Sequence, residues 1–236
     1  STGNTVVAKP APTTPLTAAL LGELAAAILP PGVFNVIIDA NDLGGLLSSH
    51  PDVAKISFTG STATGRKVMA SGAATLKRLT LELGGNDVAI VLDDADPAEV
   101  AAKLYAAATF NAGQTCMAAK RLYVPNAMLD DIGERLAALA SATVLGDGLD
   151  PGTQMGPIQN RMQFDKLQDL MAAAQGEGTV LTGGARLNRP GYFIQPAIVR
   201  DLADDARLVT EEQFGPLVPL LSYDTIEDVI ARANAS

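Results

Sequence analysis

Short apolar runs alternate with longer Ala- and Leu-rich stretches along the whole chain, and clusters of Gly, Pro and Asp separate them. Thr5–Ala8 has the length of a buried strand, and Thr13, Thr14 and Pro15 then supply the cap and first-turn proline of a helix. That helix is expected to run to Leu29, where Pro30, Pro31 and Gly32 stop it. Val33–Ile38 and Lys55–Phe58 read as further strands, with a short helix over Asp42–Ser49 and a longer one over Thr62–Ala73. Lys77–Leu83 and Val88–Leu92 continue the strand series. Asp94, Asp96 and Pro97 then open a helix that reaches Thr109, acid first and proline early. The second half predicts strands at Arg121–Val124, Thr179–Leu181 and Leu217–Tyr223, an extended Tyr192–Val199, and helices at Ala127–Ala140, Asn160–Ala174 and Thr225–Ala233. Strands alternating with helices at this spacing predict an α/β fold whose strands run parallel, with helical crossovers.

Composition narrows the picture. The 236 residues suffice for one large or two modest domains, and 47% hydrophobic residues allow a sizeable core. With no Trp and 4% aromatics, that core must be built from Ala, Leu, Val and Ile. A net charge of −9 argues against a nucleic-acid or anionic-membrane partner. The apolar stretch Leu16–Leu29 contains Gly22 and Glu23 and is too short and too polar to span a bilayer. The single cysteine, Cys116, leaves no intrachain disulfide, which suits a reducing, cytoplasmic setting. The acidic residues Asp201, Asp204 and Asp205 are expected in a solvated loop, and no Cys/His cluster suggests a metal.

The stretch Phe110–Arg121, with Cys116 near its middle, is the first candidate for chemistry. A thiol just past a Gly-containing turn has free backbone N–H groups beside it, which favour a thiolate and can hold an oxyanion. A buried cysteine acting as a small hydrophobe fits that spacing too. Three other motifs bear on the choice: Phe58-Thr-Gly-Ser-Thr-Ala-Thr-Gly65, Thr80-Leu-Glu-Leu-Gly-Gly85 and Glu211-Glu-Gln-Phe-Gly-Pro216. These four, in this order, resemble the NAD(P)-dependent aldehyde dehydrogenase superfamily, over the whole length of the chain.

The resemblance implies an aldehyde dehydrogenase-like fold with parallel sheets and helices on both faces, in three layers and partial. Residues 1–84 would be the C-terminal half of a Rossmann-like NAD(P)-binding domain and 85–236 an incomplete catalytic domain. A small aldehyde would be oxidised to a carboxylic acid with NAD as cofactor and NADP as the alternative. Cys116 matches the nucleophile, and its own N–H would donate to the oxyanion. Glu82 matches the general base for thioester hydrolysis, where apolar neighbours would partly desolvate it; on the residues alone, without the motif, an exposed Glu at a strand end is the favoured reading. Phe58, Thr59, Gly60 and Ser61 match the strand-to-helix turn that carries the pyrophosphate. Lys9 matches the lysine on the adenosine ribose, Leu83 and Gly84 neighbours of the nicotinamide amide, Glu212 the carboxylate on the nicotinamide ribose, Phe214 the aromatic near the ring, and Gln163 a further ribose contact. The lone His50, in Ser49-His-Pro51, matches a structural turn, although a Cys–His pair could use only this histidine.

The sequence departs from the family pattern at three places. Pro12 stands where many NAD-using members have Glu, Ile38-Asp-Ala-Asn41 replaces a Gly-containing turn, and Asn86 stands where Lys is common. The resemblance also implies family segments beyond both ends: the first half of the nucleotide sheet and a Trp-Asn-Phe-Pro-like segment before Ser1, and an oligomerisation strand after Ser236. The full-length protein is then expected to be a homo-oligomer, and the 236 residues alone weakly active or inactive, at most binding nucleotide. A CoA-acylating variant is disfavoured because such enzymes commonly lack the general base that Glu82 would supply.

Overall fold

A computed structural model describes residues 3–235. The chain divides into two compact units, residues 1–83 and 84–236.

The first unit carries β1 (Val6–Ala8), α1 (Leu16–Ala26), β2 (Phe34–Val36), α2 (Gly44–Ser49), β3 (Lys55–Thr59), α3 (Thr62–Ala73) and β4 (Arg78–Glu82). β1 pairs with β2 and β3 with β4, both parallel, as strand–helix–strand units require. α1 stops at Ala26, short of the expected Leu29, and buries none of its side chains. Leu16, Leu20, Leu21 and Leu24 are all exposed. Ser61 caps α3, its Oγ accepting from the Thr64 N–H at 3.2 Å.

The second unit carries β5 (Asp87–Ile90), α4 (Pro97–Thr109), β6 (Ala119–Pro125), α5 (Leu129–Ala142), α6 (Arg161–Glu177), β7 (Thr179–Thr182), β8 (Ala197–Arg200), α7 (Arg207–Thr210), β9 (Leu217–Tyr223) and α8 (Ile226–Ala233). Its five strands form one sheet in the order β5-β6-β9-β8-β7. Alternation along the strands sends successive side chains to opposite faces. Leu122, Val124, Ile198, Val218 and Leu220 pack against Leu104 and Ala108 of α4 and Ile132 and Leu136 of α5. Tyr123, Val199, Leu217 and Leu221 pack on the other face against Leu167, Leu170 and Met171 of α6 and Val229 of α8. The result is the three-layer arrangement expected, with Ala, Leu, Val and Ile dominating both layers of core.

Three stretches of this unit differ from the reading of the sequence. β7 runs antiparallel to β8, because the chain returns through 183–196 without a crossover helix. The extended Tyr192–Val199 contributes only Ala197 onward to the sheet. The acidic stretch after Arg200 is exposed but not wholly unpartnered: Asp201 pairs with Arg200 and Asp204 with Arg232. It leads into the short α7, which an Arg207–Glu211 pair supports. Among the described residues no helix is long and apolar enough to cross a membrane.

Candidate active site

In the first unit the predicted phosphate turn links β3 to α3. Its free N–H groups lie at the positive end of a helix of 12 residues. Gly60 sits under the Phe58 ring, where a Cβ would lie 2.5 Å from ring carbon Cζ, and its N–H donates to the Glu82 carbonyl at 3.0 Å. Leu83 fills the space beside Gly65, where a Cβ would come within 2.5 Å of Leu83 Cδ2. Thr59 is the last residue of β3, paired with Glu82 of β4, so the turn and the candidate base share one two-stranded ladder. Glu82 is exposed; the partial desolvation expected for it is not found, because the β4 end leaves its side chain open to water.

Lys9 follows β1 and donates to Asp39 Oδ1 at 3.1 Å. Asp39 was not among the candidates. Its Oδ2 accepts the Leu43 N–H at 2.9 Å, and that bond, with Lys9, holds its carboxyl below the usual range despite burial. The Ile38-Asp-Ala-Asn41 departure thus places an ion-pair partner for the lysine. Asn41 takes the left-handed conformation (φ 75°) that a glycine would otherwise supply. His50 is a turn residue: its Nδ1 accepts the Asp52 N–H at 3.2 Å.

In the second unit the segments around Gly84, Cys116 and Glu212 meet. The Gly85 N–H donates to Glu212 Oε1 at 3.0 Å. A Cβ at Gly84 would collide with the Glu212 carboxylate, and one at Gly85 with the Cys116 carbonyl. The glycine pair is therefore demanded by crowding from both sides. Asn86, the third departure, also gains a role here. Its Nδ2 donates to the Val209 carbonyl at 2.8 Å and its own carbonyl accepts from Arg121 Nε at 2.9 Å, tying the glycine pair to the segment before Glu212.

Cys116 is exposed, so it is not the small buried hydrophobe that its spacing also allowed. It follows a left-handed turn at Asn111 (φ 53°), Ala112 (φ 56°) and Gly113 (φ 68°). Non-glycine residues in that region cost on the order of 1–3 kcal/mol each and persist only when their surroundings fix them. Gln114 supplies part of the fixing. Its Nε2 donates to the Asn111 carbonyl at 3.2 Å and its Oε1 accepts the Gln159 N–H at 2.8 Å. Among the described residues of this unit, no acceptor takes the Cys116 N–H.

Glu212 and Phe214 lie just after α7, and α6 pins them. Lys166 Nζ donates to the Glu212 carbonyl at 2.6 Å, and Gln163 Nε2 donates to the carbonyls of Gln213 and Phe214 at 2.7 and 3.0 Å. Phe214 is a second left-handed corner (φ 50°). Gln163 therefore spends its amide N–H groups on this loop. Sequence reasoning passed over Gln114, Lys166 and Lys120. The last carried a faint signal, a lysine next to the start of a strand that turns apolar after Arg121.

The comparisons with known proteins bear on this arrangement. The model of the aldehyde dehydrogenase family matches residues 1–236. The chain belongs to the aldehyde dehydrogenase family. A probable aldehyde dehydrogenase from a Pseudomonas species is 48% identical over 218 residues, 92% of this chain and 44% of that one. The gamma-glutamyl-gamma-aminobutyraldehyde dehydrogenase of Burkholderia cenocepacia superposes with TM-score 0.95 at 40% identity, over 99% of this chain and 48% of that one. A Cys→Ala variant of aldehyde dehydrogenase C from Pseudomonas syringae, solved with NAD+ and octanal, superposes with TM-score 0.93 at 37% identity, over 98% and 49%. The chain thus spans about half the length of the aldehyde dehydrogenases it matches.

Proposed function

We propose that the protein serves the NAD(P)-dependent oxidation of an aldehyde to a carboxylic acid, with Cys116 as nucleophile and Glu82 as the base for hydrolysis. The observation that carries the reading is the exposed Cys116, set by a strained turn against the Gly84–Gly85 pair that Glu212 holds from the other side. The Cys116 thiolate adds to the aldehyde carbonyl, and the oxyanion that forms meets the Cys116 N–H. Glu82, open to water, takes a proton from the water that later cleaves the thioester.

The residues present fit a dinucleotide. The Gly60–Ser61 turn offers N–H groups at a helix start, Lys9 stands after β1, and Gly84 lets the Glu212 carboxylate come up against the backbone. Bound NAD(P) supplies the hydride acceptor. Thr59, Gly60 and Ser61, with Phe58, would hold its pyrophosphate, and Lys9 its adenosine ribose. Glu212, Gln163, Phe214, Leu83 and Gly84 would hold its nicotinamide end. The NAD+ and octanal of the Pseudomonas syringae structure support an apolar aldehyde and NAD as first substrates to test. A cytoplasmic, homo-oligomeric full-length protein completes the reading.

The test is turnover of an aldehyde panel, followed as NADH formation, with NAD affinity by calorimetry. Cys116→Ser is expected to abolish turnover and keep NAD binding. Glu82→Gln is expected to stall with an acyl group on Cys116, visible by mass spectrometry. Normal turnover in Cys116→Ser sinks the nucleophile assignment. A second reading, nucleotide binding without turnover by these 236 residues, draws on the uncovered side chains of α1; NAD binding without NADH formation would favour it.

A further inference from the structure

Lys120 is the second residue of β6 and is 1% exposed. An ammonium in an apolar interior is costly unless its hydrogens are matched, and a Leu or Met would fill the space more cheaply. Lys120 Nζ donates to the Ala108 carbonyl at 2.9 Å and to the Gly215 carbonyl at 2.6 Å. Ala108 lies in the last turn of α4, where carbonyls have no partner in the helix. Gly215 follows the left-handed Phe214. Between them lies Gly113, the end of the left-handed turn before Cys116: a Cβ there would collide with both Lys120 Nζ and the Gly215 carbonyl. One buried side chain thus touches the end of α4, the nucleophile turn and the Glu212–Phe214 loop. Burial holds the Lys120 ammonium down at about 7, against the opposing pull of the nearby Glu212 carboxylate.

We propose that Lys120 is a positioning residue, whose Nζ, by bridging the Ala108 and Gly215 carbonyls, holds the 111–113 turn and so fixes the Cys116 backbone relative to the Glu212 loop. The proposal rests on reading Cys116 as the nucleophile. It is tested separately, because the order of this turn can be measured without turnover.

The experiment uses the 236-residue chain with Lys120→Met, which keeps length and removes the donors, and Lys120→Gln, which keeps an N–H donor on a shorter arm. Cys116 is the only thiol, so iodoacetamide reports on this turn alone. Hydrogen exchange of residues 110–118 follows the backbone, and tyrosine emission in urea checks folding. In folded Lys120→Met, exchange of 110–118 is expected to accelerate by about tenfold or more, the equivalent of losing a typical hydrogen bond to a charged group. The alkylation rate of Cys116 is expected to move with it. Lys120→Gln is expected to recover part of both, which a mere volume filler would not do. Exchange and alkylation within about twofold of the parent in folded Lys120→Met would overturn the proposal. If Lys120→Met does not fold, the parent chain decides. Protection of 110–118 comparable to β6 supports the clamp, and exchange at unfolded-chain rates beside a protected β6 overturns it. Persistent turnover in Cys116→Ser would remove the nucleophile reading and leave these exchange results standing.

Discussion

A methyl group at Gly84 would occupy the space of the Glu212 carboxylate, and the bond from the Gly85 N–H holds that carboxylate in place. Gly84→Ala is therefore expected to displace Glu212 and lower NAD affinity by roughly tenfold or more, the scale of a charge-assisted hydrogen bond. Calorimetry that finds the affinity unchanged would take Glu212 out of the nucleotide site. At Lys120 the folded chain releases its proton near 7, whereas an unfolded lysine keeps it to about 10.4. Between those values the unfolded state binds more protons, so the Lys120 contribution to stability rises with pH, by up to about 1.4 kcal/mol per pH unit. Below about 7 both states are protonated and the contribution is flat. Lys120→Met is expected to remove that rise, read as urea midpoints at pH 7, 8 and 9. A parent chain with the same pH slope as the variant would show that Lys120 keeps its proton when buried.

The sheet of the second unit is positioned by helices whose starts were legible. Asp96 caps α4 through the Ala98 N–H at 2.8 Å, with Pro97 behind it. Asp96→Ala is expected to cost about 1 kcal/mol of stability, read from tyrosine emission in urea. In the first unit, Leu20 and Leu24 of α1 are more than half exposed, at 55% and 57%. A polar residue at either position loses little packing there. α4 ends where the left-handed turn begins, so its cap and length also set where Cys116 stands.

All four tyrosines, at 105, 123, 192 and 223, belong to the second unit, as do both large core clusters. The first unit holds only Val68 among the buried hydrophobic side chains of the described residues, and its strands pair two by two. Stability follows buried apolar area. The first unit is therefore expected to unfold at lower urea than the second. Far-UV circular dichroism, which reports on both, should begin its transition before tyrosine emission does. Coincident transitions would mean that the two units unfold as one.

The order of elements and the four motifs were legible because each is a local property. Apolar runs, helix caps and Gly-containing turns act over a few residues. The sequence alone also determined the family, because the motifs that hold the thiol, the glycine pair and the Glu-Gln-Phe-Gly stretch occur together and in order. Which contacts join them was decided by packing. The Gly85–Glu212 bond spans 127 positions and the Lys120–Gly215 bond 95, distances over which no periodicity carries information. The reversal of β7, the pairing of Lys9 with Asp39, and the open setting of Glu82 are of the same kind. Each depends on what the completed fold places beside a residue, and burial, hydrogen-bond partners and charge environment exist only once distant segments have met.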